Sequence, residues 1–133
     1  MAIHTSELQK TIYNTLSGDV ALTALVSGVF DDVPEDTAYP FVRIGEETIT
    51  DNSTKDLQGQ VMTITIHAFS EYRGKREVKQ IMDAIYDAMH DNDMIVSGAN
   101  LVNFRFEFMD IVTESDGITR HGVMRFRAVI YDQ

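Results

Sequence analysis

Val61-Met62-Thr63-Ile64-Thr65-Ile66-His67-Ala68-Phe69-Ser70-Glu71-Tyr72-Arg73-Gly74, continuing through Lys75 to Asp91, is the stretch that decides the fold. Met62, Ile64, Ile66 and Ala68 alternate with Thr63, Thr65 and His67, so an extended chain here has one apolar and one polar side. The segment turns through Ser70-Glu71-Tyr72-Arg73-Gly74. Its pattern then changes to Val78, Ile81, Met82, Ile85, Ala88 and Met89, one face of a helix over 75–91. A strand with one dry side next to a helix with one apolar stripe predicts a helix laid on a sheet.

The flanking segments fit the same frame. Ser6-Glu7-Leu8-Gln9 reads as a capping box, and Leu8, Ile12 and Leu16 recur at four-residue spacing, so a helix runs to Gly18. Asp19 caps a second, shorter helix that turns Leu22, Leu25 and Val26 inward and ends at Gly28. Val29-Phe30 is a short extended piece, followed by an acidic loop with Asp31, Asp32, Glu35 and Asp36. Pro40 favours extended backbone at Tyr39, and Phe41 to Thr50 is a strand. Asp51 to Gln60 is polar and reads as a mobile loop or an extended hairpin arm. Beyond the long helix, Ser97-Gly98-Ala99-Asn100 introduces a strand in which Val102, Phe104, Phe106 and Phe108 alternate with Asn103, Arg105 and Glu107. Asp116-Gly117 makes a hairpin turn. The last strand places Met124, Phe126, Ala128 and Ile130 on one face, Arg125 and Arg127 on the other. The expected fold is α+β: a two-layer sandwich, its sheet mainly antiparallel, with one long helix on the apolar face and two short N-terminal helices.

The chain has 133 residues, read as one domain over 1–133 and long enough for a core. It carries 11 basic and 21 acidic residues, net −10, which argues against tight nucleic-acid binding, since that affinity comes from cations neutralising phosphates. The balance is uneven: residues 1–60 hold 3 basic and 10 acidic residues, residues 61–133 hold 8 and 11. No apolar run is long enough to span a bilayer, so no membrane partner is expected. The start, Met1-Ala2-Ile3-His4-Thr5, has neither a charged n-region nor an apolar h-region, so a cytosolic start is the default. There is no cysteine, which excludes disulfides and thiolate metal sites.

Motifs for chemistry are missing. His4, His67, His90 and His121 fall in separate elements and read as surface or sheet-face residues, with His67 sharing the polar face with arginines. The run Asp31-Asp32-Val33-Pro34-Glu35-Asp36 lacks the ligand order of a calcium loop. No serine stands in a nucleophile elbow and no glycines form a phosphate loop. Val20-Ala21-Leu22-Thr23-Ala24-Leu25-Val26 carries no side chain suited to reading base edges, so the broken N-terminal helices are not a DNA-reading pair. No catalytic residue, metal ligand or cofactor site is expected.

Two features suggest contacts instead. The long helix is charged against its dipole, with Arg73, Lys75, Arg76 and Lys79 at its start and Asp83, Asp87, Asp91 and Asp93 toward its end. Helices gain about 0.3–1 kcal/mol per charge from the reverse arrangement. A neighbouring copy can offset the loss, basic end to acidic end. Pairs such as Lys79–Asp83 on a solvated face are the plainer explanation. The polar sheet face also gathers Arg43, Arg105, Arg125 and Arg127 with Glu107 and His67. Guanidinium groups suit subunit contacts, and a solvated face is again the plainer alternative.

The whole pattern resembles the small tail-completion proteins of long-tailed bacteriophages and prophages, also called tail terminators or head-to-tail joining proteins, with relatives in gene transfer agents. The likeness runs through the two N-terminal helices, Val29-Phe30-Asp31, Val33-Pro34, Tyr39-Pro40-Phe41, the polar fifties, and Val61 through Tyr72-Arg73-Gly74. It continues into Leu101–Phe108 and Arg120-His121-Gly122-Val123-Met124-Arg125-Phe126-Arg127. The resemblance implies a structural, non-enzymatic virion protein at the tail–head junction, made in the bacterial host cytoplasm. It implies a ring of copies of this chain, six-fold, that caps the tail tube and then meets a head-completion or connector protein. DNA can pass through such a ring, since an acidic lumen does not hold phosphates. The segment Asp51-Asn52-Ser53-Thr54-Lys55-Asp56 is then a candidate mobile partner-contact loop. Two other functions fit the same residues: a head-completion or neck protein of the same virion, and a small-molecule-binding or hydrolytic α+β domain.

Overall fold

The computed structural model describes residues 3–133; Met1 and Ala2, the first residues of the start read as lacking a signal, lie outside the described residues. In chain order the elements are α1 (Thr5–Ser17), α2 (Val20–Thr23), β1 (Val29–Phe30), β2 (Phe41–Asp51), β3 (Gly59–Ser70), α3 (Arg76–Met89), β4 (Ala99–Thr113) and β5 (Arg120–Asp132). The strands form one five-stranded sheet in the order β1-β2-β3-β5-β4. Only β1 and β2 pair in parallel; the rest of the sheet is antiparallel.

The dry face is made by the alternation that the sequence displays. Met62, Ile64, Ile66 and Ala68 of β3 and Met124, Phe126, Ala128 and Ile130 of β5 are each no more than 1% exposed. Helix α3 lies across them and turns Val78, Ile81, Met82, Ala84, Ile85 and Met89 inward. Its approach is close: a Cβ on Gly122 would stand 2.5 Å from Met82 Sδ. At the mouth of the helix the Ser70 hydroxyl donates to Glu77 Oε1 (2.7 Å), tying the end of β3 to the first turn. Helix α1 closes one side with Leu8, Ile12 and Leu16, all fully buried.

Several local expectations are corrected. Helix α1 starts two residues early, so Ser6 lies inside it and the capping box does not form; His4 occupies the N-cap without a side-chain cap. The His4 ring instead meets the Asp132 carboxylate at 2.7 Å, pinning the N-terminal end to the last strand. Asp19 caps α2 as expected, accepting from the Leu22 amide at 3.0 Å. That helix ends at Thr23 with Ala24 as its C-cap, well before Gly28. Leu25 therefore leaves the inward face and is 37% exposed, while Leu22 is buried and Val26 packs against the core.

The largest departure is in β4. Its register shifts between Leu101 and Asn103 and again between Phe106 and Phe108. Each extra residue reverses which side chains face the core. Leu101, Phe104 and Phe106 therefore reach the core, whereas Val102 (54% exposed) and Phe108 (41%) do not. A third shift, between Ile44 and Glu47 in β2, follows the same rule and brings the Glu46 side chain over the polar face.

Candidate functional site

The polar face can be built row by row from the strand register. Thr48, Thr63, Arg127 and Arg105 lie side by side across β2, β3, β5 and β4, and the next row holds Thr65, Arg125 and Phe108. Arg105 and Arg127 are thus directly opposed, an arrangement that is unfavourable for like charges. Arg105 is offset by Asp91, 3.4 Å away. Arg125 donates to Glu107 Oε1 at 2.7 Å, and its guanidinium lies 5.0 Å from the centre of the Phe108 ring. Among the described residues Arg127 enters no ion pair. Arg43 sits apart from these three, opposite His67 in the register and 3.9 Å from Glu46. Of the four expected arginines, three share one patch.

Beside the arginines is a chain of polar groups that sequence reasoning missed. Glu46 Oε1 lies 2.5 Å from His67 Nε2. His67 Nδ1 lies 2.7 Å from His121 Nε2. His121 Nδ1 lies 2.9 Å from Glu114 Oε1. The histidines stand 54 positions apart, and only the pairing of β3 with β5 makes them diagonal neighbours. The reading of four scattered histidines therefore fails for this pair. The residue that makes room is Gly45, where a Cβ would meet the His67 ring at 2.5 Å. The hydrogen bond from His67 is the main reason the Glu46 carboxyl is held below its usual range. His121 is also held low, first by burial and then by the charge of His67. Phe69 stacks on His121, with ring centres 4.4 Å apart, and Phe41 packs against Phe69.

The basic start of α3 lies on the helix layer, across the sheet from the arginine patch. Arg73, Lys75, Arg76 and Lys79 are exposed, as are Asp83 and Asp87. None of the six takes part in an ion pair among the described residues, so the expected Lys79–Asp83 compensation is absent. Partial compensation comes from elsewhere: Glu77 lies in the first turn, and Asp91 past the last turn is met by His90 and Arg105.

The segment between β2 and β3 is a hairpin arm with its own bonding. The Asn52 amide donates to the Gly59 carbonyl and the Thr54 amide to the Leu57 carbonyl, both at 2.8 Å. Ser53 donates to Asp51 Oδ1 at 2.6 Å, and the Asn52 side-chain amide to the Tyr131 hydroxyl at 3.0 Å. Lys55 and Asp56 stand exposed at the tip. This arm and Asp132 line a surface groove of about 740 Å³. Among the described residues no three His, Asp or Glu side chains are placed to hold one metal ion, and no helix is long and apolar enough to cross a membrane.

The fold is an α+β protein with a five-stranded, mostly antiparallel sheet covered on one face by helices and exposing charge on the other. Residues 10–131 match the family described as tail completion protein gp17, and the chain belongs to that family. It is similar to the tail completion protein gp17 of Bacillus phage SPP1, with 26% identity over 123 residues, covering 92% of this chain and 91% of that one. A chain in the structure of the virion of a native gene transfer agent particle superposes with a TM-score of 0.92 at 27% identity, covering 98% and 99% of the two chains. The solved SPP1 gp17 structure has the same fold, with a TM-score of 0.67 at 23% identity over 96% and 95% of the chains. The protein is therefore a structural component of a virion and not an enzyme.

Proposed function

We propose that copies of this chain join head to tail into a six-fold ring that caps the tail tube and then presents a surface to the head-completion or connector protein. The observation that carries this reading is the match of residues 10–131 to the tail-completion family, together with the near-complete superposition on a chain of a gene transfer agent virion. The charge layout supports it. A head-to-tail ring needs two different complementary patches on one subunit. The arginine patch of Arg105, Arg125 and Arg127 and the helix bearing Arg76, Lys79, Asp83 and Asp87 lie on opposite layers and are available for such a pairing. Arg43, Arg73 and Lys75 are at the margins of these two surfaces. The hairpin arm from Asp51 to Asp56 is the segment proposed to meet the tail tube or connector, tightening when it does. The net charge of −10 suits a lumen through which DNA slides without being held. The reading needs no cofactor.

The test is removal of the gene followed by electron microscopy of the lysate. A missing terminator leaves filled heads beside tubes that are overlong or unattached. A missing head-side neck protein, the second reading, leaves tails of normal length and unsealed heads. Infectious particles at normal yield, with normal tails, contradict both.

A further inference from the structure

The chain from Glu46 through His67 and His121 to Glu114 contains three contacts, and each needs one proton between its two heavy atoms. Two neutral imidazoles carry one ring proton each. They can supply two of the three contacts, and the third is left with facing lone pairs. Two imidazolium rings carry four ring protons, which sets two N–H groups against each other in the middle contact. Only three protons close all three contacts together.

We infer that this relay is a proton-binding site that holds one proton more than two neutral imidazoles carry, and that this proton latches the β2 bulge to the β4–β5 hairpin. The ligand is a single proton taken from solvent. The site is built for it. His67 is only 5% exposed, between Gly45 and the neighbouring strand, so its ring cannot turn freely to solvent partners. Glu46 reaches it from the bulge, and Glu114 reaches His121 from a connection fixed by the 2.9 Å bond from its amide to the Thr119 carbonyl. The charged groups around the pair fit one added proton and oppose two. Glu46 and Arg43 face it from β2 and Glu114 from the β4–β5 connection. On β4, Asp110 pairs with Val123 in the row of His67 and is exposed. Arg120 of β5 turns its guanidinium to the Ile118 carbonyl. Phe69 covers His121 and brings no charge. Helix α3 lies across the sheet and contributes none. Two carboxylates favour the first added proton. Burial of His121 and the charge of His67 resist the next.

Ring-nitrogen NMR of the full chain, labelled with ¹⁵N-histidine, reads the proton count directly, with His67→Asn and His121→Asn used for assignment. At neutral pH the expected spectrum has three ring N–H protons across the two residues and a coupling through the hydrogen bond between His67 Nδ1 and His121 Nε2. On acidification a fourth proton enters and that coupling disappears. Two neutral rings with two protons at neutral pH, or no coupling between the rings at any pH, overturns the inference. The parent spectrum decides this even where a variant fails to fold. Glu46→Gln keeps an oxygen that accepts from His67 but loses the charge. With an otherwise unchanged amide spectrum it should lose the third proton at lower pH than the parent. Loss at the same pH overturns the role given to Glu46.

Discussion

The two faces of the sheet are made from the same strands and held by different physics. On the dry face, eight alternating side chains of β3 and β5 vanish under α3, held by burial that has no preferred direction. On the polar face, the intervening residues form directional bonds: Thr48 with Thr63, Arg125 with Glu107, Glu46 with His67. Others, such as Arg127, have no ion-pair partner among the described residues. The dry face is closed and makes the protein stable. The polar face keeps exposed charges, and under the proposed function a neighbouring copy meets them. Damage to the first should appear as lost stability, and damage to the second as lost contacts.

The sharpest test of that contrast compares adjacent residues on β5. Phe126 is fully buried, stacked on Phe104 with ring centres 5.3 Å apart and edge-on to Phe106. Phe126→Ala should lower unfolding free energy by about 3–5 kcal/mol through lost burial and the cavity left behind. Arg125→Ala removes an exposed ion pair and a ring contact and should stay within about 1 kcal/mol. Urea unfolding of both variants measures the ratio, and comparable losses would break the contrast.

Gly45→Ala probes a crowded point of the polar face. The new Cβ falls on the His67 ring and lies 3.2 Å from the Thr65 carbonyl. The ring must swing out and give up Glu46 and His121, with an expected loss of about 1–3 kcal/mol. Denaturation gives the loss, and ring-nitrogen shifts of His67 and His121 locate it. A stable variant with both shifts unchanged would mean that the bulge accommodates a side chain.

Acid should act on the polar face through smaller shifts. Because folding holds His121 below its ordinary value of 6.5, its neutral form contributes stability above that value, and the contribution is lost as pH falls toward the folded value. Glu46, held low, adds a share that is lost at still lower pH. Glu47 works the other way: burial raises its carboxyl, so its protonation relieves strain as pH falls. The expected net result is a melting temperature that declines below the ordinary histidine range, with a shallower decline in His121→Asn. Calorimetry across pH checks this, and parallel curves for parent and variant would remove His121 from the account.

The same division governs what could be read from the sequence. Burial leaves a periodic trace, so the strand at 61–70, the helical stripe from Val78 to Met89 and the apolar side of 124–130 were legible. Single-residue insertions leave no such trace. Nothing in Val102 or Phe108 signals that shifts at Leu101/Asn103 and Phe106/Phe108 turn them outward. Gly45 was a faint signal of a bulge. The relay was illegible for a related reason: its members lie on β2, β3, the β4–β5 connection and β5, and become neighbours only through strand order. The capping box failed because the helix already begins at Thr5, which puts Ser6 inside it, and the contact of His4 with Asp132 near the other end of the chain left no trace in the local pattern. The arginine cluster was legible because alternation alone puts Arg125 and Arg127 on one side.

The smallest expected change in stability belongs to the charges at the start of α3. Arg76 and Lys79 are exposed, take part in no ion pair among the described residues, and sit where the helix dipole disfavours cations. Replacing both with glutamate removes an unfavourable arrangement and creates a favourable one. The folded monomer should therefore keep its stability or gain up to about 1 kcal/mol, within the usual range for surface changes. If these cations complete a contact with the acidic part of a neighbouring copy, the same double variant should assemble poorly on tail tubes, and in the parent that assembly should weaken as salt rises. Melting temperature and light scattering with and without tail tube separate the two effects. Undiminished assembly returns the cluster to a solvated face. A stability loss beyond about 1 kcal/mol would mean that the cations serve the chain itself, and the division between a closed face and one that keeps exposed charges would then have to be drawn elsewhere.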